Sequence, residues 1–136
     1  VRAKAHAEGK TFAAYCYSSH GENHWMRMSA QRFREVDERE VEKFISSPEW
    51  VDMFAHVKRS FAGPFGLGLK VVAPEAGFTW PEEDFDGEES VNARRDALAG
   101  DRVARQRLLD YNSGDVRATR AVREWMDAGA PGTTAL

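Results

Sequence analysis

This sequence of 136 residues predicts a helix-rich α/β domain, and three observations carry that expectation. Residues 12–17, FAAYCY, form a short apolar run bounded by Gly9 and by Ser18 and Ser19, the pattern of a buried strand. The segments around it carry helical start and stop signals. Near the other end, Leu108, Tyr111, Asp115, Ala118, Val122 and Trp125 recur at alternating steps of three and four, the period of a single helical face. Strand-like runs are too few for a complete sheet.

Taken in order, residues 1–10 are rich in alanine and charge and finish a helix, with Gly9 as its stop signal. After the strand, residues 18–21 turn the chain and residues 22–33 read as a helix. Residues 34–42 are strongly charged and expected to be exposed, and a second helix runs through Phe44 to the punctuation at Ser47 and Pro48. Residues 50–54 hold a short strand end, followed by a helix to Phe61. Gly63, Pro64 and Gly66 form the next break. Residues 68–73 read as a short helix ending near Pro74, and residues 79–90 as an acidic, aromatic loop. Two helices follow, about 90–99 and 102–127, the second open to interruption at 112–114. Residues 1–127 are assigned to the domain, and the small, Gly- and Pro-containing residues 128–136 to a flexible tail.

Composition excludes several classes. Hydrophobic residues at 42% and charged residues at 30% are ordinary for a globular chain, and a net charge of -3 gives no global basic footprint for tight, non-specific nucleic-acid binding. Local arginines do cluster, at Arg94, Arg95, Arg102, Arg105 and Arg107, then at Arg117, Arg120 and Arg123. A single cysteine, Cys16, excludes an internal disulfide and any multi-cysteine metal site. No long apolar segment, signal peptide or lipidation motif is seen, so a cytoplasmic protein with no membrane partner is expected. The start at Val1 without an initiator methionine suggests a piece of a larger protein.

The chemistry-bearing candidates begin with Asp115. On the core-facing stripe a carboxylate loses hydration unless it is paired or binds metal. It reads either as a first-turn residue of a helix capped by Asn112 or Ser113, or as a ligand of Mg²⁺ or Mn²⁺, hard cations that favour carboxylate oxygens. Tyr111, one turn earlier, is either a core aromatic with its hydroxyl at the rim or the group that orients an attacking water; a phenol with an ordinary pKa of about 10 is a poor base. Glu22 lies just past the carboxyl end of the expected strand, where α/β sheets place their sites, and reads equally as a capping-box glutamate with Ser19 as the cap. Asp52 is either a cap or a group supporting a metal site. Lys70 can reach a phosphate as a point charge. His20 and His24 have zinc-compatible spacing without a clear third ligand, so solvent or a phosphate is the simpler partner for both. The glycines match no P-loop, and no nucleophile elbow or cysteine-protease motif is present.

In chain order, the strand with YSSHGEN, then VDMFAHVKRSF, then GLGLKVVAPEAGF, then LLDYNSGDVRATRAVREWM resemble the ribonuclease H-like domain at the C-terminal end of certain bacterial RecB-family nucleases. That domain is related to the DEDD 3′–5′ exonucleases of the polymerase-proofreading type. The resemblance covers residues 12–127, and its most specific part is Tyr-Asn-x-x-Asp followed by Ala-Thr and an apolar helix. It implies that Asp115 is the last metal carboxylate, Tyr111 the motif tyrosine of the DEDDy subtype, and Glu22 the middle acidic ligand. Asp52 falls where relatives carry an aspartate that is not usually a direct ligand. It further implies a two-metal Mg²⁺ or Mn²⁺ nuclease acting as a 3′–5′ exonuclease on single-stranded ends, with DNA favoured over RNA, inside a larger protein of DNA processing or repair.

The departure from that pattern concerns the Asp-x-Glu of the first strand. The one occurrence here, Asp86-Gly87-Glu88, lies in the polar stretch PEEDFDGEES and follows the middle motif. The expected fold is therefore an amino-terminally truncated ribonuclease H-like domain whose first strands, and two of four metal carboxylates, lie upstream of Val1. Weak metal binding and little activity follow for this piece alone. The alternative from another class is a non-catalytic module for nucleic acid or protein that assembles, as a homo-oligomer among other forms, through a sheet edge left exposed.

Overall fold

The structure, a computed structural model, describes residues 1–81, 85 and 87–134. The chain divides into two compact units, Val1–Gly63 and Pro64–Leu136.

The first unit runs α1 (Arg2–Ala7), β1 (Ala14–Cys16), α2 (Ser19–Arg32), α3 (Glu38–Ile45), β2 (Trp50–Asp52) and α4 (Met53–Ser60). The strands β1 and β2 pair in parallel, Ala14 opposite Trp50, Tyr15 opposite Val51 and Cys16 opposite Asp52. Parallel neighbours need a long connection, which α2 and α3 provide. The expected strand at residues 12–17 is thus shorter than its apolar run, and only Cys16 in it is buried, Tyr15 remaining 40% exposed. A strand with one paired neighbour and three residues has little surface to cover. Arg2 and His6 both reach the Glu49 carboxylate at 2.5 Å, which fastens α1 to the segment ahead of β2. The apolar centre of the unit is Cys16, Ala30, Met53 and Val57. Tilted aromatic pairs at Tyr17–Phe54 and Phe44–Trp50 flank it.

Helix α2 begins at Ser19, three residues before the expected start. Its N-cap is Ser18, held at a left-handed φ of 68°, and no side chain at that position caps it. The capping box of Ser19 and Glu22, one of the two readings of Glu22 from sequence, is therefore absent. The Asp52 carboxylate takes its place from the end of β2, accepting from the backbone N–H groups of Ser18 (3.1 Å) and Ser19 (2.9 Å). The same carboxylate caps α4 through Phe54 and Ala55.

The second unit contains α5 (Leu69–Glu75), α6 (Gly87–Leu98) and α7 (Arg102–Asp127), with α7 packed on both of the others. Helix α5 carries Pro74 in its last turn and ends one residue later, so the proline sits inside the helix rather than beyond it. Gly100, at φ +105°, turns the chain between α6 and α7, and Asp101 caps α7 by accepting from Val103 and Ala104. Helix α7 is continuous over 26 residues, roughly 39 Å at 1.5 Å per residue, with no interruption at 112–114. Its inward stripe is the one expected: Leu108, Tyr111 and Asp115 are half-buried, and Ala118, Val122 and Trp125 are buried. Beyond α7, Ala130 is buried and the Trp125 indole N–H donates to the Pro131 carbonyl at 3.0 Å. No helix among the described residues is long and apolar enough to cross a membrane.

Candidate functional site

The continuity of α7 decides where Asp115 stands. It lies in the middle of the helix, so it is not a first-turn residue capped by Asn112 or Ser113. Its backbone carbonyl accepts both the helical bond and the Thr119 hydroxyl at 2.9 Å, which satisfies that buried side chain. Its carboxylate points to Trp80, whose indole N–H donates to Oδ1 at 3.0 Å. Burial raises the Asp115 carboxyl above the usual range, and the Trp80 hydrogen bond and the nearby Lys70 charge offset only part of that rise.

Gly114 makes this approach possible. A Cβ built there meets Trp80 Cδ1 at 2.8 Å and Nε1 at 3.1 Å, so the indole occupies the space a side chain would take. Trp80 in turn stands edge-on to Phe78, ring centroids 5.1 Å apart. Lys70, exposed at the start of α5, donates its ammonium to the Phe85 carbonyl at 3.0 Å. Its Nζ also lies 5.5 Å from the Trp80 ring and 5.2 Å from the Tyr111 ring. Tyr111 packs on Phe85 at 5.1 Å and belongs to the small core of Phe85, Ala93 and Ala104. Asp115, Tyr111 and Lys70, three residues singled out from sequence, are thus brought together, with Asp115 held by the indole and the Lys70 ammonium set against the rings of both Trp80 and Tyr111.

Beside this group opens a cleft of about 290 Å³ lined by Trp80, Pro81, Phe85, Arg107, Asp110, Tyr111 and Arg117. Arg107 lies over the Phe85 ring at 4.6 Å and pairs with Glu89 at 3.6 Å. Sequence reasoning missed Trp80, Gly114, Phe85 and the part played by Arg107 and Arg117. A glycine on an apolar helical stripe does signal close approach of another group, but read as a break it hid the slot.

The remaining candidates sit in the first unit. Glu22 is exposed in the first turn of α2, and His20 and His24 are exposed on the same helix. Glu22 and Asp52 lie near enough to Cys16 that their charges, after burial itself, push its thiol up to about 12. Burial works against charge on Asp52, but hydrogen bonds from Ser19, Ser18 and Ala55 outweigh it and hold that carboxyl below the ordinary range. Asp52 is accordingly a double helix cap. Of the Asp-x-Glu sequence, Asp86 lies outside the described residues and Glu88 is in the first turn of α6.

Among the described residues, no group of three or more His, Cys, Asp or Glu side chains is placed to hold a metal ion. His20 and His24 therefore gain no third ligand there. Asp115 brings a single carboxylate to its surroundings, with Oδ1 engaged by Trp80 and a fixed ammonium close by, and does not by itself amount to a cation site.

A family model described as the RNase_H superfamily matches residues 7–127. No curated protein and no solved structure matches the chain.

Proposed function

The chain belongs to the RNase_H superfamily, and from that premise we propose that it is part of a metal-dependent nuclease acting as a 3′–5′ exonuclease on single-stranded DNA ends, within a RecB-family protein of DNA processing or repair. Superfamily membership supports the coarser statement, a nuclease-type domain that binds nucleic acid. RNase H-like nucleases generally use divalent metals. When bound, Mg²⁺ or Mn²⁺ lowers the pKa of a water and stabilises charge on the attacking and leaving oxygens of the phosphodiester.

The residues of this chain then take the following roles in the proposal. Asp115 contributes one metal carboxylate, held by the Trp80 N–H so that its orientation is set in advance. Glu22 contributes another from the start of α2. Tyr111 orients the water, and Lys70 and His20 meet phosphate. Two carboxylates leave a two-metal set incomplete, so weak metal binding and little hydrolysis are expected from these 136 residues alone. The observation that carries the reading is a half-buried carboxylate kept in the middle of the longest helix, in a chain matched to the superfamily along most of its length.

The test is titration with Mn²⁺, followed by water-proton relaxation, for the wild-type chain, Asp115→Asn and Glu22→Gln. Weak binding that falls in both variants is expected, with Glu22→Gln, an exposed change, leaving stability within about 0.5 kcal/mol. Binding that neither variant alters overturns the assignment of these carboxylates. Robust Mn²⁺-dependent degradation of single-stranded DNA by the wild-type chain, lost in Asp115→Ala, overturns the incompleteness.

A further inference from the structure

We propose that the cleft beside Asp115 is a subsite for one unpaired nucleotide, its base stacked on Trp80 and its phosphate met by Arg107 and Arg117. This rests on the nucleic-acid reading above and adds to it the place and the form of the ligand.

The cleft is built by one stripe of α7. Arg107, Asp110, Tyr111, Gly114 and Arg117 fall at helical spacing, and the stripe faces Trp80, Pro81 and Phe85. Its chemistry changes across its width. Phe85 is 2% exposed and forms an apolar floor, whereas Trp80 is only half-buried and brings its indole to the cleft lining. Every base has a π-face, so stacking on an aromatic ring is open to any base, and arginine serves the backbone charge. Arg117 is exposed and Arg107, which pairs with Glu89 at 3.6 Å, lies beside it in the lining, so two guanidinium groups are within reach of a phosphate at the cleft. Asp110 lines the same cleft and can accept from an exocyclic amino group, as carboxylates do from cytosine.

Size points the same way. About 290 Å³ falls just below the usual range of ligand pockets, roughly 300 to 1,000 Å³, and leaves room for one nucleotide at most rather than a longer segment. A base inside a duplex is stacked on both faces and cannot enter such a cleft without being flipped out. The subsite therefore selects single strands. Trp80 then has two tasks: its N–H holds Asp115 and its ring receives the base, which places an unpaired nucleotide next to the carboxylate assigned to chemistry.

The experiment is fluorescence anisotropy of a labelled single-stranded oligonucleotide with the full chain at low salt, in EDTA, so that binding is read without any metal or hydrolysis. Trp80→Ala is expected to weaken binding about 5- to 150-fold, the range for loss of one aromatic–base stack. Trp80→Phe, which keeps a stacking ring but loses the N–H to Asp115, should stay within a few-fold of wild type. Arg117→Ala, a change at an exposed position, should lower the slope of log affinity against log salt by about 0.7. Circular dichroism checks that each variant folds, and should Trp80→Ala fail to fold, the Phe and Arg117 variants decide. Binding unchanged in Trp80→Ala, equal weakening by Phe and Ala, an unaltered salt slope in Arg117→Ala, or duplex bound as tightly as single strand each overturn the subsite. These results are independent of the Mn²⁺ titration, so failure of the subsite and failure of the metal assignment are told apart.

Discussion

Gly114→Ala pits two well-defined effects against each other. In the middle of an exposed helix, replacing glycine by alanine stabilises by about 0.8–1 kcal/mol. Here the new Cβ would stand 2.8 Å from Trp80 Cδ1. Ordinary carbon–carbon contact is roughly 3.5–4.0 Å, so the indole must retreat by about 0.7–1.2 Å. Its N–H donates to Asp115 Oδ1 at 3.0 Å, and a shift of that size takes the bond beyond useful length. A hydrogen bond to a charged group is worth about 1.5–3 kcal/mol. The net expectation is destabilisation by about 0.5–2 kcal/mol, opposite in sign to the propensity effect alone. Urea unfolding followed by far-ultraviolet circular dichroism measures it, with an unchanged denaturant slope as the condition for comparing midpoints. In a Trp80→Ala background the slot is empty, and the same Gly114→Ala change should stabilise by about 0.8–1 kcal/mol. The cycle then gives a coupling of roughly 1.5–3 kcal/mol between positions 80 and 114. Stabilisation by Gly114→Ala in both backgrounds, with no coupling, would falsify the slot.

Asp52→Ala removes two helix caps and should cost about 2 kcal/mol, at about 1 kcal/mol per cap. Because the folded state holds the Asp52 carboxyl below its ordinary value, that contribution is present above the unfolded carboxylate pKa and lost as pH falls through the folded one, so the wild-type advantage in urea midpoint must shrink on acidification; a constant gap counts against it. Asp115→Asn keeps an acceptor for Trp80 while removing a charge that burial disfavours, so at neutral pH it should be at least as stable as wild type, and any gain should fade as pH falls through the raised Asp115 pKa; clear destabilisation at neutral pH contradicts this. Cys16, its thiol pushed up to about 12, should resist a thiol reagent at neutral pH until urea unfolds the chain, and rapid labelling in buffer speaks against the buried setting.

What could be read in advance was local. The period of α7 announced its inward stripe, because side chains three and four apart share a face whatever packs on them. The position of β1 followed from a run of apolar residues between punctuating ones, though not its length, since a strand extends only as far as a partner pairs with it. What escaped reading was held by partners far apart in sequence. Asp52 caps α2 across 34 residues, whereas a Ser19–Glu22 box, one of the two readings of Glu22, would have been the local solution to the same unsatisfied N–H groups. Trp80 reaches Asp115 across 35 residues, and the indole that makes this bond fills the space a side chain at position 114 would take. Lys70 was legible as a cation but not as the ammonium set against the rings of Trp80 and Tyr111.

The aspartates among the described residues supply a comparison that bears on Asp115. Asp37, Asp52 and Asp101 each precede a helix and accept its first N–H groups, at α3, α4 and α7. Those carboxylates repay their presence in stability, since a cap satisfies donors the helix leaves open. Asp96, Asp110 and Asp127 lie on exposed helical surface, where a carboxylate stays hydrated. Asp115 fits neither class. It occupies the middle of α7, it is half-buried, and burial makes its charged form unfavourable. Leucine or alanine would extend the stripe of Ala118, Val122 and Trp125 at lower cost. The fold nevertheless supplies it with an indole N–H and clears a side chain from position 114 to let that indole in. A group that lowers stability while its neighbours are arranged to orient it is what a reacting or ligand-holding carboxylate requires, and perturbed carboxyls of this kind gather at functional sites. Within the described residues of the second unit, that supports the role proposed for Asp115 and for the cleft at its side.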